Sequence, residues 1–299
     1  MQRRIFLVCL CQLRKDFIVD NVSLGSPSKT QLVGLIVERI ESEIDDLRMA
    51  FINSREVVGT GFVVIDNLLP ENIAQQISES FPAPESMRHM KSFRENKYTS
   101  KNFEEFDPIL GDITFAIQDP SVVELVEKMT GIQNQVPDSL LYAGGLSVMT
   151  QNQYLGPHID NSHDSTRTYY RTLNLLYYVS AGWSEKNGGH LQLWDRTVNR
   201  NITIPSLFNR LVIMETNATS WHSVNDVKID GHRKCVSNYY FSKTSPAGEE
   251  YFNITAFSAP SSQPLLRIGR RLDATARQLL RLLKPSGIQK QDVYEGPPR

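Results

Sequence analysis

The 299 residues are 40% apolar and 9% aromatic, enough for one substantial core or one core with a small appendage, and 32 basic against 33 acidic side chains leave a net charge of -1. That balance excludes whole-molecule attraction to nucleic acid or anionic membrane, so a charge-driven partner needs a local patch. Three cysteines, Cys9, Cys11 and Cys235, form neither a disulfide framework nor a Cys-x-x-Cys metal pair, which points to a reducing, cytoplasmic setting.

Arg3 and Arg4 precede a short apolar stretch at 5–10 in the charge order of a signal peptide, but no small-residue cleavage site comes after it. No later run is long and apolar enough to span a bilayer, so a soluble chain is expected. The Asn-x-Ser/Thr triplets at Asn21, Asn201, Asn217 and Asn253 then read as chance matches. Residues 22–29, rich in Ser, Gly and Pro, read as a loop. One helix is predicted next, because Leu32, Ile36, Ile40, Ile44, Leu47 and Phe51 recur every three or four residues with charges between them. A short strand comes next at 62–65. Pro70 opens a helix running to Ser80, and Asp119, Pro120 and Gly131 cap, start and close another.

From about residue 141 the pattern changes to short β-rich runs at 145–151, 169–180, 190–194, 201–205, 210–215, 222–224 and 234–242. Many short, regularly spaced strands favour a sandwich or jelly roll over a parallel α/β sheet. The tail from Leu265 interleaves Arg267, Arg270, Arg271, Arg277, Arg281 and Lys284 with Leu266, Leu272, Leu279, Leu280 and Leu283 up to Pro285. This is a basic amphipathic helix. Either it docks on the core with its arginines solvated, or it contacts an acidic surface such as an anionic membrane. Three parts result: an N-terminal extension with one helix over 1–50, a catalytic domain over 51–260 with its jelly-roll core at about 141–245, and the basic helix and tail over 261–299.

The chemistry centres on 154–160. His158 and Asp160 are two residues apart, so on an extended strand both point to the same side and can grip one metal. His222, at the start of a later predicted strand, supplies a third ligand. Two neutral imidazoles and one carboxylate occupy one face of an octahedron and leave the other open, the arrangement non-haem Fe(II) oxygenases require. His-x-Asp alone is a weak signal in a chain with six histidines. A downstream arginine strengthens it. Arg233 begins the strand after His222, and a guanidinium is a planar, permanently charged fork for the far carboxylate of a chelating dicarboxylate such as 2-oxoglutarate.

With these residues the sequence resembles the prolyl 4-hydroxylase branch of the 2-oxoglutarate/Fe(II)-dependent oxygenase superfamily. The similarity covers roughly 141–245 and takes in the strand at 171–178, Trp183 with Gly188, Gly189 and His190, and the run at 209–214 leading to Trp221 and His222. The resemblance implies a mainly β fold with supporting helices: a double-stranded β-helix, or jelly roll, whose two sheets enclose the iron, with N-terminal buttressing helices and a C-terminal helix. It implies that His158, Asp160 and His222 are the metal ligands and catalytic centre, with Arg233 and Tyr178 binding 2-oxoglutarate. Tyr177 takes the place of Tyr178 if the strand phase is the opposite one. Asn174 shares a face with Tyr178, and Tyr154 is a further pocket candidate; a packing role stays open for all three tyrosines. The implied cofactors are Fe(2+), 2-oxoglutarate and O2, with L-ascorbate as an optional addition.

The remaining histidines compete for the metal. His163, beside Asp164, has no predicted strand to align it, His190 reads as a sheet residue near a turn, and His89 and His232 have no ligand-like setting. Cys235 is expected as packing on the strand face opposite Arg233. The activity implied is a dioxygenase that hydroxylates a C–H bond of a prolyl, peptidyl or small-molecule substrate and converts 2-oxoglutarate to succinate. A carboxylate at Asp160, in place of glycine or alanine, argues for hydroxylation over halogenation. The pocket-lining loops that would separate peptide from small molecule include 84–110. No nucleic-acid partner is expected, because no basic groove with stacking aromatics is visible outside the tail. The alternative from another class is a non-catalytic jelly-roll module that binds metal or acts as a sensor.

Overall fold

The structure, a computed structural model, describes residues 26–283 and 293–297. The signal-like stretch, Cys9, Cys11, Asn21, Lys284 and Pro285 lie outside the described residues. In chain order the elements are α1 (Lys29–Glu41), α2 (Ile44–Val58), β1 (Phe62–Asp66), α3 (Glu71–Glu79), β2 (Arg88–Lys91), β3 (Glu95–Ser100), α4 (Pro108–Ala116) and α5 (Pro120–Thr130). The second half holds β4 (Val136–Pro137), β5 (Gly145–Met149), β6 (Tyr154–Ile159), β7 (Tyr170–Tyr178), β8 (Leu191–Trp194), β9 (Asn201–Ile204), β10 (Arg210–Glu215), β11 (His222–Val224), β12 (Arg233–Ser242), β13 (Ala256–Phe257) and α6 (Pro264–Leu283).

The strands form one antiparallel sheet in the order β1-β10-β7-β12-β5-β3-β6-β11-β8-β9, with β2 on β3, β4 on β12 and β13 on β6. The sheet curls on itself. Side chains alternate across the pleat, so one face of β7, β10 and β12, with Leu173, Leu175, Tyr177, Leu211, Ile213, Val236 and Tyr240, packs on the N-terminal helices. The other face, with Tyr178, Val212, Met214 and Cys235, meets Leu191, Leu193 and Ile204 of β8 and β9. The expected jelly roll is therefore present, and its two sheets are the halves of one continuous sheet joined through β3.

The helices follow from local chemistry. Ser28 caps α1 in a reciprocal box with Gln31, and Leu32, Ile36 and Ile40 are wholly buried in the same core as β7 and β10. The apolar stripe predicts one helix; there are two. Ser42 turns its hydroxyl back onto the Arg39 carbonyl at 2.8 Å, and Glu43 leaves helical geometry at φ -134. Asp119, Pro120 and Gly131 cap, start and close α5 as expected. Helix α4 has no legible period because seven of its nine residues are buried all round.

The tail helix docks the other way round from the expectation. Arg270 is 4% exposed, while Leu265, Leu272 and Leu283 are 85%, 66% and 84% exposed. The Arg270 guanidinium donates to the Ser258 and Phe93 carbonyls, Arg277 donates to the Thr255 carbonyl, and Arg267 to that of Thr197. These loop carbonyls have no ladder partner at those positions, and arginine's planar set of donors reaches them where a leucine cannot. Arg267, Arg270 and Arg277 are thus committed to the domain and not held out toward an acidic surface. No helix among the described residues is long and apolar enough to cross a membrane.

Candidate metal centre

Strand β6 carries His158 near its end, Asp160 lies just beyond it, and β11 begins with His222. Pairing of β11 with β6 sets His222 directly across from His158 and brings the ring centroids to 4.1 Å. His158 Nε2 lies 3.5 Å from Asp160 Oδ1 and His222 Nε2 lies 3.6 Å from Oδ2, and the ligand atoms of all three fall within 4.8 Å of one another. Each imidazole is oriented from behind: Nδ1 of His158 contacts the Gly156 carbonyl at 2.9 Å, and Nδ1 of His222 contacts that of Ser220 at 3.0 Å. A carbonyl only accepts, so each Nδ1 carries the hydrogen and each Nε2 lone pair turns toward the shared centre.

The charge states suit ligation. Burial alone would raise the Asp160 carboxyl, yet facing His222, Arg171 and His158 hold it well below the ordinary carboxylate range. Burial, then the neighbouring His158, pushes the His222 imidazole down to about 4. At neutral pH the cluster therefore presents an ionised acid and a neutral His222. One carboxylate and two imidazoles from two adjacent strands form the facial donor set that suits Fe(II).

Three further side chains grip Asp160. Asn174 Nδ2 donates to Oδ2 at 2.8 Å, Arg171 Nη1 lies 3.4 Å from the same oxygen, and Asn253 Nδ2 donates to the Asp160 backbone carbonyl at 2.8 Å. Arg171 is 1% exposed, with its guanidinium 3.9 Å from the Tyr239 ring centre. In the sequence Asn174 falls on the inward face by period two, Arg171 stands only within a strand motif, and Asn253 reads as a chance glycosylation triplet. Period two along β7 was the signal for Arg171's neighbour Asn174, whereas nothing local marks Asn253, which arrives from a distant loop.

Arg233 opens β12, is 4% exposed, and lines the same cavity of about 720 Å³ as the cluster. Its Nε donates to the Gly189 carbonyl at 3.0 Å, and its guanidinium lies 4.7 Å from the Tyr178 ring centre. Gly189 sits at φ +68, and a Cβ there would meet the Arg233 side chain at 3.2 Å, so the glycine lets backbone and guanidinium approach. Tyr178 faces the inside of the curl, but unlike Arg233 it is not a wall of the cavity. Tyr177 points to the helices and donates to Asn209 Oδ1 at 2.9 Å, while the Tyr178 hydroxyl lies beside Ser206 and Arg233 without a hydrogen bond of ordinary geometry.

Other expectations change. Cys235 does not lie on the face opposite Arg233: residues two apart share a face, and both line the cavity. Tyr154 turns its hydroxyl toward the Ser92 carbonyl at 3.5 Å and is not a wall of the cavity. His163 lines the cavity but stays outside the cluster, with Nδ1 2.7 Å from Ser162 Oγ and its ring on Tyr170. His190 spends both ring nitrogens on Glu185 and Ser206 backbone. The region 84–110 contributes a β2–β3 hairpin to one wall of the cavity.

Residues 144–241 match the family model of the 2OG-Fe(II) oxygenase superfamily. Among solved structures the chain is similar to a prolyl 4-hydroxylase from Phytophthora capsici, at 14% identity over 88% of this chain and 81% of that one, with a TM-score of 0.51. It is also similar to a prolyl hydroxylase from Trichoplax adhaerens in complex with a hypoxia inducible factor peptide, at 16% identity over 70% of this chain and 96% of that one, TM-score 0.47. A third is HygX from Streptomyces hygroscopicus with nickel, 2-oxoglutarate and hygromycin B bound, at 13% identity over 82% and 97%, TM-score 0.44. The likeness to the Phytophthora capsici structure, at such identity, shows fold alone. No curated protein matches the sequence.

Proposed function

We propose that this chain, through the superfamily segment at 144–241, is a 2-oxoglutarate- and Fe(II)-dependent dioxygenase that hydroxylates a C–H bond of a prolyl, peptidyl or small-molecule substrate. The observation that carries the reading is the convergence of His158, Asp160 and His222 within 4.8 Å, in one cavity with the buried Arg233 guanidinium. His158 and His222 would hold iron through Nε2 and Asp160 through its carboxylate. Iron bound with 2-oxoglutarate and dioxygen supplies the oxidation that places a hydroxyl on carbon while 2-oxoglutarate becomes succinate and carbon dioxide.

The protein's contribution is position and exclusion of water. Arg233, fixed by Gly189 behind and Tyr178 beside it, would present its remaining N–H groups to a carboxylate, and the neighbouring Tyr178 hydroxyl would donate to the same group. Burial pushes the Tyr178 phenol up, so it stays protonated and keeps its donor. Asn174 and Arg171 on Oδ2 fix the Asp160 carboxylate plane. The same residues 51–260, together with α1 and α2 on the shared core, would constitute the catalytic unit.

The test is anaerobic addition of Fe(II) and 2-oxoglutarate, followed by oxygen and prolyl peptides or free amino acids. A visible metal-to-ligand absorption band and oxygen-dependent succinate are expected. Failure to bind ferrous ion removes the reading.

A further inference from the structure

Helix α6 is held by one face and open on the other. On the inner face Arg270, Arg277 and Gln278 donate to the Ser258, Thr255 and Phe252 carbonyls, and Gln278 Oε1 accepts the Ile254 N–H. Phe252, Ile254 and Thr255 are themselves walls of the metal-bearing cavity, so the helix cannot roll over to bury its leucines without stripping that wall. The outer face carries Leu265, Ile268, Leu272, Leu279 and Leu283, 56% to 85% exposed, with Gly269, Thr275 and Ala276 exposed among them. At 3.6 residues per turn the five large side chains fall within about 60° of arc. Such a stripe is as narrow as a helix-pairing seam, and narrower than the apolar face with which a helix usually lies on a domain. Among the described side chains Arg271 is the one exposed charge on α6.

We propose that this stripe docks on the same stripe of a second copy of the chain, as an antiparallel helix pair about a two-fold axis level with residue 274. Reversal about that level sets Leu265 of one copy opposite Leu283 of the other, Leu272 opposite Ala276, and Leu279 opposite Gly269. In the middle of the seam each large side chain thus meets a small one, and a match of sizes under reversal is what a patch needs in order to meet itself. The 20 residues of α6 make a rod about 30 Å long and about 10 Å wide, a footprint of roughly 300 Å² per copy. That is as large as the largest apolar patch of a typical monomer, of the kind that is often functional. Against the roughly 800 Å² per partner of a stable complex it implies a weak, reversible dimer, with a Kd on the order of 10 µM. A membrane fits less well. A helix that lies on a bilayer has a broad apolar face edged by many basic side chains, whereas this stripe is narrow and Arg267, Arg270 and Arg277 turn to the domain.

The experiment is sedimentation velocity on the full chain from about 1 to 200 µM, a range that brackets such a Kd. A monomer–dimer equilibrium is expected, little changed by added salt because no charge lies in the seam. Leu272→Glu and Leu265→Glu should each raise the Kd about tenfold or more, since pairing would bury a carboxylate without a partner. Both side chains are exposed, so the far-ultraviolet circular dichroism spectrum should stay that of the wild type. Ala276→Leu adds apolar area but sets large against large, and should weaken the pair about 3–10-fold. Flotation with phosphatidylcholine and phosphatidylserine vesicles runs alongside. A chain that stays monomeric over the whole range, with or without binding to the vesicles, overturns the proposal. So does a dimer that Leu272→Glu leaves unchanged, or one that Ala276→Leu tightens as it would an unspecific apolar contact.

Discussion

Asn174 donates from Nδ2 to Asp160 Oδ2 at 2.8 Å, from a strand on the opposite half of the curled sheet, and its own Oδ1 is buried without a hydrogen-bond partner. The contact joins β7 to the residue after β6 across the cavity. Asn174→Ala removes the donor and leaves Asp160 Oδ2 to Arg171 alone, so ferrous affinity should fall about 10–100-fold with the fold intact. Titration with Fe(II) or Co(II), beside a far-ultraviolet circular dichroism spectrum, measures both. Unchanged metal affinity would show that Asn174 is a packing residue.

Arg233→Lys and Tyr178→Phe separate cosubstrate binding from metal binding. Lysine keeps the charge and loses the planar fork, so the KM for 2-oxoglutarate should rise by about tenfold or more. Tyr178→Phe removes one hydroxyl donor and should raise it about 3–10-fold. Co(II) affinity without 2-oxoglutarate should stay at the wild-type value in both, because neither side chain touches the His158–Asp160–His222 cluster. A parallel loss of metal affinity contradicts the assignment of Arg233.

Asp138 links stability to pH. Burial, opposed by Arg171 and by backbone N–H groups of Tyr142 and Leu140, raises its carboxyl from 3.8 to about 6. As pH climbs from 3.8 to 6 the unfolded chain ionises this group while the folded chain keeps its proton. Stability is therefore full below that window and lost through it, by at most about 3 kcal/mol above pH 6. Asp138→Asn keeps an acceptor and removes the loss. The difference in Tm, variant minus wild type, should be near zero at about pH 4 and reach about 3–6 °C at about pH 7. A difference independent of pH refutes this account of Asp138.

Gly156 ties the tail helix to the metal centre. Its carbonyl orients His158, and a Cβ on Gly156 would lie 2.6 Å from Arg270 Nη2. Gly156→Ala should push the guanidinium off its seat on Ser258 and Phe93, loosening α6 by about 1–3 kcal/mol. Arg270→Ala should release the helix without that clash. Limited proteolysis within 261–283 is expected to quicken in both variants, and a pattern identical to wild type would mean that Arg270 does not hold α6.

The sequence alone determined the chemistry that depends on local order. His158 and Asp160 share a strand face because the pleat has period two, and Arg233 comes after His222 at the head of the next strand. Asp119 and Gly131 bound α5 because capping is a property of a few adjacent residues. Three matters waited for the tertiary structure. The phase of β7 was not legible because both of its faces are buried, Leu173, Leu175 and Tyr177 on the helices and Tyr178 inside the curl, so no apolar–polar alternation marks the inward side. The grip of Asn253 and Arg171 on Asp160 depends on loops and strands far apart in the chain meeting at one carboxylate. The orientation of α6 reversed the hydrophobic rule, because what an amphipathic helix buries is decided by what it meets. Here it meets loop carbonyls, and Arg267, Arg270, Arg277 and Gln278 bring the donors that leucine lacks.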